Sequence, residues 1–179
     1  MNLLLHVCCG PCAAYPFSVL RAEGLEVKGW FFNPNIHPYQ EFRRRLEALE
    51  QLATRWDLTV AYEHRYGLRD YLRQVVFNEE QRCRICYQMR LSATARKTRE
   101  AGLDAFSSTL LFSRHQQHEL IRRLGAEAAK REDVTFYYRD FRAGWRQGVD
   151  IAKNLALYRQ SYCGCIYSEQ ERYEKKQPE

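Results

Sequence analysis

The cysteines of this chain, seven in 179 residues, fall into three short motifs. The motifs are HVCCGPC near the start, RCRIC in the middle and YCGC near the end, and they contain Cys8, Cys9 and Cys12, then Cys83 and Cys86, then Cys163 and Cys165. Thiolates bind metals and attack electrophiles. Core cysteines do not usually cluster in this way, so the pattern indicates metal binding or redox chemistry rather than a framework of structural disulfides.

The first motif follows a short apolar run, 3–7, that predicts a buried strand. Gly10 and Pro11 then begin a segment with helical periodicity. The carboxyl end of a strand beside a following helix start is where ligands bind in an open α/β sheet. The unpaired amide groups of that helix start favour an anion, and they help to lower the pKa of a cysteine.

Cys83 and Cys86 are three residues apart in a predicted helix, so they project from one face about one turn apart. Two thiolates from a strand end and two from a helical turn match the ligand number of a zinc site or of a four-iron cluster. Adjacent Cys8 and Cys9 do not match the usual zinc knuckle, whose paired ligands are separated by two or more residues. The pattern favours iron–sulfur over zinc without excluding zinc.

Cys163 and Cys165 are separated by one residue, so a disulfide between them would close a very small, strained ring. Strain makes a disulfide easier to reduce, and labile disulfides tend to be regulatory or catalytic. This motif is therefore a candidate redox-active pair that relays electrons near the metal site. Two further metal ligands, or two free thiols, are the alternatives.

Strand-like and helix-like segments alternate along the chain, which predicts parallel βαβ units in a three-layer α/β/α sandwich. The predicted strands cover 3–7, 25–33, 58–63, 105–109 and 134–138, and the predicted helices cover 11–23, 39–56, 68–77, 79–100, 114–131 and 145–158. Neither a repeat nor a linker interrupts them. We expect a single domain over residues 1–179, with a mobile tail from about residue 174.

The formal net charge is +6, which is modest support for a polyanionic partner such as a nucleic acid. Apolar runs are too short for a membrane span, and the start of the sequence lacks the basic region of a signal peptide. We therefore expect a cytoplasmic protein without a membrane partner.

Basic and aromatic side chains near the cysteine motifs are candidates for contacting a nucleic acid, although such residues more often pack the core or lie on a solvated face. The candidates for phosphate are Arg84, Tyr87, Arg90, Arg96, Lys97 and Arg99, and those for base stacking are Tyr15, Phe32, Tyr162 and Tyr167. We expect His6 to be a hydrogen-bonded core residue. His115 and His118 are predicted on one helix, as a solvated pair rather than metal ligands, with His115 near the mouth of the site.

The motifs HVCCGPC, RCRICYQMRL, STLLFSRHQQ and YCGC together resemble the QueH family of epoxyqueuosine reductases, from His6 to about Arg172. The resemblance implies a Rossmann-like fold of the adenine nucleotide alpha hydrolase (HUP) type. It also implies the last step of queuosine biosynthesis, the two-electron reduction of epoxyqueuosine at the wobble position of tRNA. The partners would be that tRNA and an unidentified electron donor.

The same resemblance implies roles for the cysteines. A [4Fe–4S] cluster would be bound by Cys8, Cys9, Cys83 and Cys86, and a redox-active disulfide would join Cys163 to Cys165. Cys12 completes the first motif and is a candidate ligand of one additional iron ion. Related folds that hydrolyse ATP carry a Ser/Gly-rich loop where this chain has His6-Val7-Cys8-Cys9, so ATP use is not predicted.

Two other classes of protein remain open on the sequence alone. A zinc-stabilised nucleic-acid-binding module would explain Cys83, Cys86 and the charge, but it would leave the other motifs without a role. A thiol–disulfide oxidoreductase would need an exposed, low-pKa C-x-x-C pair and no metal. Iron and sulfide content distinguishes the reductase from both.

Overall fold

The structure, a computed structural model, describes residues 1–174. Over these residues the strands are β1 (Asn2–Val7), β2 (Glu26–Phe31), β3 (Val60–Tyr62), β4 (Ala105–Ser108) and β5 (Thr135–Phe136). The helices are α1 (Gly10–Ala22), α2 (Tyr39–Trp56), α3 (Leu68–Val75), α4 (Arg82–Glu100), α5 (His118–Glu132), α6 (Trp145–Asn154) and α7 (Ile166–Tyr173). The tail predicted from about residue 174 lies outside the described residues, apart from Glu174.

The described strands form one parallel sheet in the order β3-β2-β1-β4-β5. β1 is central and reads as a continuous apolar run because helices cover both of its faces. Helix α1 packs against α2 and α6, and α4 packs against α3 and α5. The predicted three-layer α/β/α sandwich is confirmed. Within residues 1–174, every helix is too short or too polar to cross a membrane.

The strand order reverses between β1 and β4, so the chain leaves these two strands in opposite directions. In open α/β sheets a crevice forms outside the carboxyl ends of the strands at such a point. Cys8 follows β1 there and Thr109 follows β4. The backbone N–H of Cys8 donates to Oγ1 of Thr109 at 3.1 Å, which ties the two strand ends together.

The largest departures from the predicted elements lie in the last third of the chain. Helix α5 begins at His118 rather than near residue 114, because Ser113 Oγ accepts a hydrogen bond from the His115 N–H and holds a turn. Helix α6 ends at Asn154, and Ala156 then has a left-handed φ of 50°. Helix α7 was not predicted, since its eight residues carry little apolar periodicity.

Gly10 allows α1 and α2 to approach closely beside the first cysteine motif. A Cβ on Gly10 would overlap the backbone carbonyl of Ala48 in α2, which cannot move aside like a flexible side chain. Gly10 is flanked by Cys9 and lies two residues before Cys12. The missing side chain therefore sets the distance between the cysteine turn and α2.

We predict that Gly10→Ala lowers the free energy of unfolding by about 1–3 kcal/mol, the usual cost of forcing extra atoms into a packed interior. Urea denaturation of the two proteins measures the difference. Ser18→Ala in the same helix is the control, because the Ser18 hydroxyl bonds only to the carbonyl of its own helix at Ala14. A Gly10→Ala protein as stable as this control would contradict the close approach.

Hydrogen bonds of His37 connect the segment after α6 to the loop after β2. Its backbone N–H donates to the Gly164 carbonyl at 2.8 Å, and its own carbonyl accepts from the Tyr162 hydroxyl at 2.5 Å. The ring lies between the Pro34 carbonyl, 3.0 Å from Nε2, and the Ile166 N–H, 3.4 Å from Nδ1. The ring must be neutral to accept at Nδ1, and burial lowers the pKa of His37 to about 4.

We predict that His37 makes the free energy of unfolding decrease as the pH falls. Because its folded pKa lies below the unfolded value of about 6.5, the unfolded chain binds the extra proton first, and stability is lost as pH falls from about 6.5 towards 4. His37 should contribute about 1.4 kcal/mol less at pH 5.5 than at pH 7.5. Denaturation of wild type and His37→Gln at both values measures this loss. The exposed His64→Gln variant is the matched control for replacing a histidine by glutamine.

Candidate metal and redox site

Three thiols meet at the turn between β1 and α1. The sulfurs of Cys8, Cys9 and Cys12 all lie within 4.8 Å of one another, and those of Cys8 and Cys9 are 3.8 Å apart. Cys9 is the N-cap residue of α1, so the group surrounds the amide-rich end of that helix. Thiolate ligands lie about 2.3 Å from a metal ion, so three sulfurs this close together could hold one.

The pKa values of the three thiols are shifted in different directions. Hydrogen bonds from Cys12 and then Cys9 hold the pKa of Cys8 well below its usual range, with smaller help from Arg90 and Thr109. The pKa of Cys12 rises mainly because of its hydrogen bond to Cys8, whereas that of Cys9 rises mainly through burial. Hydrogen bonding within the group therefore favours negative charge on the Cys8 sulfur over the sulfurs of Cys9 and Cys12.

Neutral polar groups face the three sulfurs of this group. The Thr109 hydroxyl accepts from the Cys8 N–H, and it donates to Cys8 Sγ at 3.3 Å. Nε2 of Gln160 lies 3.1 Å from the sulfurs of both Cys9 and Cys12. Such donors stabilise sulfur that carries negative charge, whether as a thiolate or as a metal ligand.

Cys83 and Cys86 stand in the first turn of α4, on one face as predicted. They lie outside the compact three-thiol group. Burial raises the pKa of Cys86 to about 12, and the nearby positive charge of Arg90 opposes that rise. Burial also raises the pKa of Cys83, followed by the negative charge of Cys163. These thiols need a cation or a metal to ionise at neutral pH.

Arg90 lies between the two groups of thiols. Its side chain is buried, and the charges of Cys86 and Cys8 both favour its protonated form. Nη1 donates to Oδ1 of Asn33 at 3.3 Å, whereas Nε is buried without a partner among the described residues. An Arg in this position supplies positive charge to several sulfurs at once.

Cys163 and Cys165 differ in exposure and in partners. Cys163 is exposed and lines a cavity of about 570 Å³ that Cys8 and Cys12 also line. Cys165 is buried, caps the N-terminus of α7, and accepts from the Ser168 N–H at 3.4 Å. Both are free thiols in this structure. Gly164 has a φ of 150°, and a Cβ there would lie 3.3 Å from Arg45 Nη1, so a larger residue would strain the turn.

A buried ion pair on α2 holds the backbone of the turn that carries Cys163 and Cys165. Nε of Arg45 donates to Oε1 of Glu41 at 2.7 Å, and both side chains are at most 5% exposed. The other two nitrogens of Arg45 donate to the carbonyls of Cys163 at 2.8 Å and Tyr162 at 2.9 Å. Every guanidinium nitrogen is thus used, which is the condition for a buried arginine to be tolerated.

The cavity above the sulfurs combines aromatic and basic walls. Phe112 and Trp145 stack at 5.2 Å between ring centroids, and His115 meets the Trp145 ring edge-on at 6.1 Å. Arg159 and Arg172 are exposed and also line the cavity. Stacking surfaces beside cations are suited to a nucleobase and its phosphates.

The predicted phosphate contacts lie in different surroundings in the structure. Arg90 and Tyr87 are each 2% exposed, so they belong to the interior of the site. Arg96 and Arg99 pair with Glu132 of α5, and Lys97 lies over Trp30, all at the far end of α4 from Cys83. Arg84 is exposed near Cys83 and keeps its candidate status.

The predicted stacking residues and histidines have mixed outcomes. Tyr162 lines the cavity, whereas Tyr15 packs on Phe112 and Phe32 stacks on Trp30. Tyr167 lies 5.8 Å from the guanidinium of Arg82. His6 is confirmed as a core histidine: it contacts Ser108 Oγ at 2.9 Å and the Phe32 carbonyl at 3.0 Å, and burial lowers its pKa to about 3.

The prediction that His115 and His118 share one helical face is wrong. His115 precedes α5 and lines the cavity, as its predicted place near the mouth of the site requires. His118 is buried at the start of α5 and contacts the Tyr138 hydroxyl at 3.0 Å.

The sequence did not identify four polar residues of the site, namely Arg45, Gln116, Gln160 and Thr109. Arg45 carried a usable signal, because it lies three residues after Phe42 and four before Leu49, on the apolar stripe of α2. Arg43 and Arg44 are exposed on this helix, whereas Arg45 is buried. The two glutamines lie in loops, where periodicity gives no information.

Comparison with solved structures supports the fold. A predicted subunit of tRNA methyltransferase from Methanocaldococcus jannaschii superposes with a TM-score of 0.54 at 12% identity, over 86% of this chain and 76% of that one. At this identity the likeness shows the shared α/β architecture alone.

Comparison of sequences identifies the family. The profile described as "Epoxyqueuosine reductase QueH" matches residues 3–171. Proteins named epoxyqueuosine reductase QueH are similar to this chain in Dehalococcoides mccartyi (42% identical, covering 97% of this chain and 96% of the relative), Thermotoga maritima (33%, 97% and 93%) and Streptococcus pyogenes (35%, 93% and 70%). With cysteines of its first and last motifs lining one cavity and a match over nearly its whole length, this chain belongs to the QueH family of epoxyqueuosine reductases, which are oxidoreductases of tRNA queuosine modification.

Proposed function

We propose that this protein reduces the epoxide of epoxyqueuosine to the alkene of queuosine at the wobble position of tRNA, with a [4Fe–4S] cluster bound by Cys8, Cys9, Cys83 and Cys86. Cys12 is the proposed ligand of one additional iron ion, and Cys163 with Cys165 is the proposed redox-active pair. The observation that carries the proposal is the single cavity lined by Cys8, Cys12 and Cys163 in a chain of this reductive family.

The donor set suits an iron–sulfur centre. Its candidate ligands are all cysteine sulfurs, the soft ligands that iron–sulfur clusters take, and several are buried beside polar groups that can donate to sulfur. Arg90 and Arg45 supply buried positive charge to the thiolates. When bound, the cluster supplies electrons one at a time at low potential.

The redox pair matches the stoichiometry of the reaction. Conversion of an epoxide to an alkene takes up two electrons and two protons and releases the oxygen as water. Oxidation of the Cys163 and Cys165 thiols to a disulfide releases two electrons and two protons. The pair can therefore supply one turnover, provided that Arg45 keeps its backbone beside the cavity.

The cavity offers a place for an extruded wobble nucleoside. Trp145 and Tyr162 provide aromatic surface, and His115, Arg159 and Arg172 provide polar or positive groups around it. Base stacking would orient the nucleoside, whereas phosphate contacts would hold the anticodon loop with strong salt dependence and no sequence specificity of their own.

We predict that protein purified anaerobically contains about four acid-labile sulfides and about five irons per chain, four in the cluster and one additional iron on Cys12, with an EPR signal after dithionite reduction. Cys83→Ala should lose the cluster because it removes a ligand. Cys12→Ala is the matched comparison: it should keep the four-iron cluster and lose only the additional iron.

Direct assay on tRNA that carries epoxyqueuosine then tests the activity of the loaded protein. Zinc without sulfide, even after anaerobic reconstitution with iron and sulfide, would overturn the proposal and favour a zinc-stabilised binding module. A Cys12→Ala protein with full activity and unchanged iron would contradict the role of Cys12 alone.

We predict that Arg45→Met releases the Cys163–Cys165 turn. Breaking a buried pair leaves Glu41 uncompensated, so the free energy of unfolding should fall by about 3–5 kcal/mol. Amide hydrogen exchange at residues 161–166 should rise, because two carbonyls of that turn lose their donor.

Arg43→Met is the control for this variant, since Arg43 makes an exposed i,i+4 pair with Glu47 on the same helix and should cost at most about 1 kcal/mol. The double variant Glu41→Leu/Arg45→Met should recover part of the stability but not the protection of the turn. Unchanged exchange at residues 161–166 in Arg45→Met would show that another contact holds the pair.

A further inference from the structure

The exposed thiol of the redox pair faces a side-chain amide that the proposed reaction does not yet use. Nε2 of Gln116 lies 3.1 Å from Sγ of Cys163, and both residues line the cavity. On its other side, Oε1 of Gln116 lies 2.7 Å from the Tyr87 hydroxyl. That hydroxyl is itself 3.1 Å from the backbone nitrogen of Gln117.

These contacts leave one orientation for the amide of Gln116. The Gln117 N–H can only donate, so the Tyr87 oxygen accepts there and its single proton points to Gln116 Oε1. The carbonyl end of the amide therefore faces Tyr87, and the NH₂ end faces the sulfur of Cys163. An N–H donor of this kind stabilises a thiolate more than a thiol.

The second cysteine of the pair has a different environment. Cys165 is buried, and its sulfur accepts from the Ser168 N–H at the start of α7. Access of an external reagent therefore favours Cys163, whereas the backbone donor at Cys165 favours departure of its sulfur as a thiolate.

We propose that Gln116, oriented by Tyr87, is a positioning residue that makes Cys163 the exchange thiol of the pair, and that the reductant of the pair is an external dithiol. This inference rests on the proposed redox role of Cys163 and Cys165 and adds which sulfur reacts first. Gln116 acts by holding a donor on the Cys163 sulfur rather than by touching the nucleoside.

The exchange balances in two steps. A thiolate of the external dithiol attacks Sγ of Cys163, the Cys163–Cys165 bond breaks, and Cys165 leaves as a thiolate that takes a proton from solvent. The second thiolate of the dithiol then attacks the dithiol sulfur that is bonded to Cys163 in the mixed disulfide. Cys163 leaves as a thiolate facing Gln116. The dithiol becomes a disulfide, and its two electrons pass to the cysteine pair.

The test is the alkylation rate of each thiol in cluster-loaded, reduced protein at pH 7, with iodoacetamide as the probe and peptide mass spectrometry as the readout. Cys163 should react faster than Cys165. Gln116→Leu should slow alkylation of Cys163 about threefold, because it removes the side-chain N–H donor that lies 3.1 Å from the Cys163 sulfur. Tyr87→Phe should cause a smaller loss, since the amide can then rotate.

Gln117→Leu is the matched control, because the network uses the backbone of Gln117 and not its side chain. A second measurement compares single variants: Cys165→Ser should form a glutathione adduct on Cys163 with oxidised glutathione faster than Cys163→Ser forms one on Cys165. Equal alkylation of the two thiols, a wild-type rate in Gln116→Leu, or faster adduct formation on Cys165 would overturn the inference.

Iron and sulfide are measured in the same samples, which separates this inference from the proposed cofactor. If sulfide is absent but the predicted labelling pattern is observed, the proposed cluster is contradicted and Cys163 remains assigned as the exchange thiol. Labelling independent of Gln116 in a cluster-loaded, active reductase would contradict the role of Gln116 and leave the reductase assignment standing.

Discussion

Negative charge on sulfur, buried at one edge of the sheet, is the constraint that the rest of this site accommodates. Thiolates in a low-dielectric interior are costly unless cations and hydrogen-bond donors face them. Two buried arginines from opposite layers meet this need: Arg45 of α2 lies near Cys9 and Cys8, and Arg90 of α4 lies near Cys86 and Cys8. Each arginine also forms hydrogen bonds to other polar groups. The contacts that balance the charge on sulfur therefore also contribute to the packing of the layers.

The arginines connect the three cysteine groups to different parts of the fold. Arg45 binds the carbonyls of the turn that carries Cys163, and it is held by Glu41, which also accepts from the Tyr158 hydroxyl. Arg90 joins the α4 pair to the loop after β2 through Asn33. The turn that carries Cys163 has no regular structure, and a buried side chain of α2 holds its backbone in place.

Hydrogen-bond donors to sulfur recur at this site with neutral side chains. Gln160 faces Cys9 and Cys12, Thr109 faces Cys8, and Gln116 faces Cys163. Neutral donors stabilise charged sulfur without adding net positive charge. For a metal centre, contacts of this kind tune the potential and orient the ligands.

The sequence by itself determined the fold class and the chemistry. Apolar runs such as 3–7, alternating with helical periodicity, specify parallel strands between helices, and the clustered cysteines specify sulfur chemistry, because both signals are local in the chain. Only the tertiary structure decided which polar residues face the sulfurs. Gln116, Gln160 and Arg45 come from separate segments, and their roles depend on contacts across 47 to 151 positions of sequence. Residue type and spacing do not encode such long-range neighbours. Arg90 is an example: the sequence suggests a phosphate contact, whereas in the structure its buried side chain places a positive charge near the cysteine sulfurs.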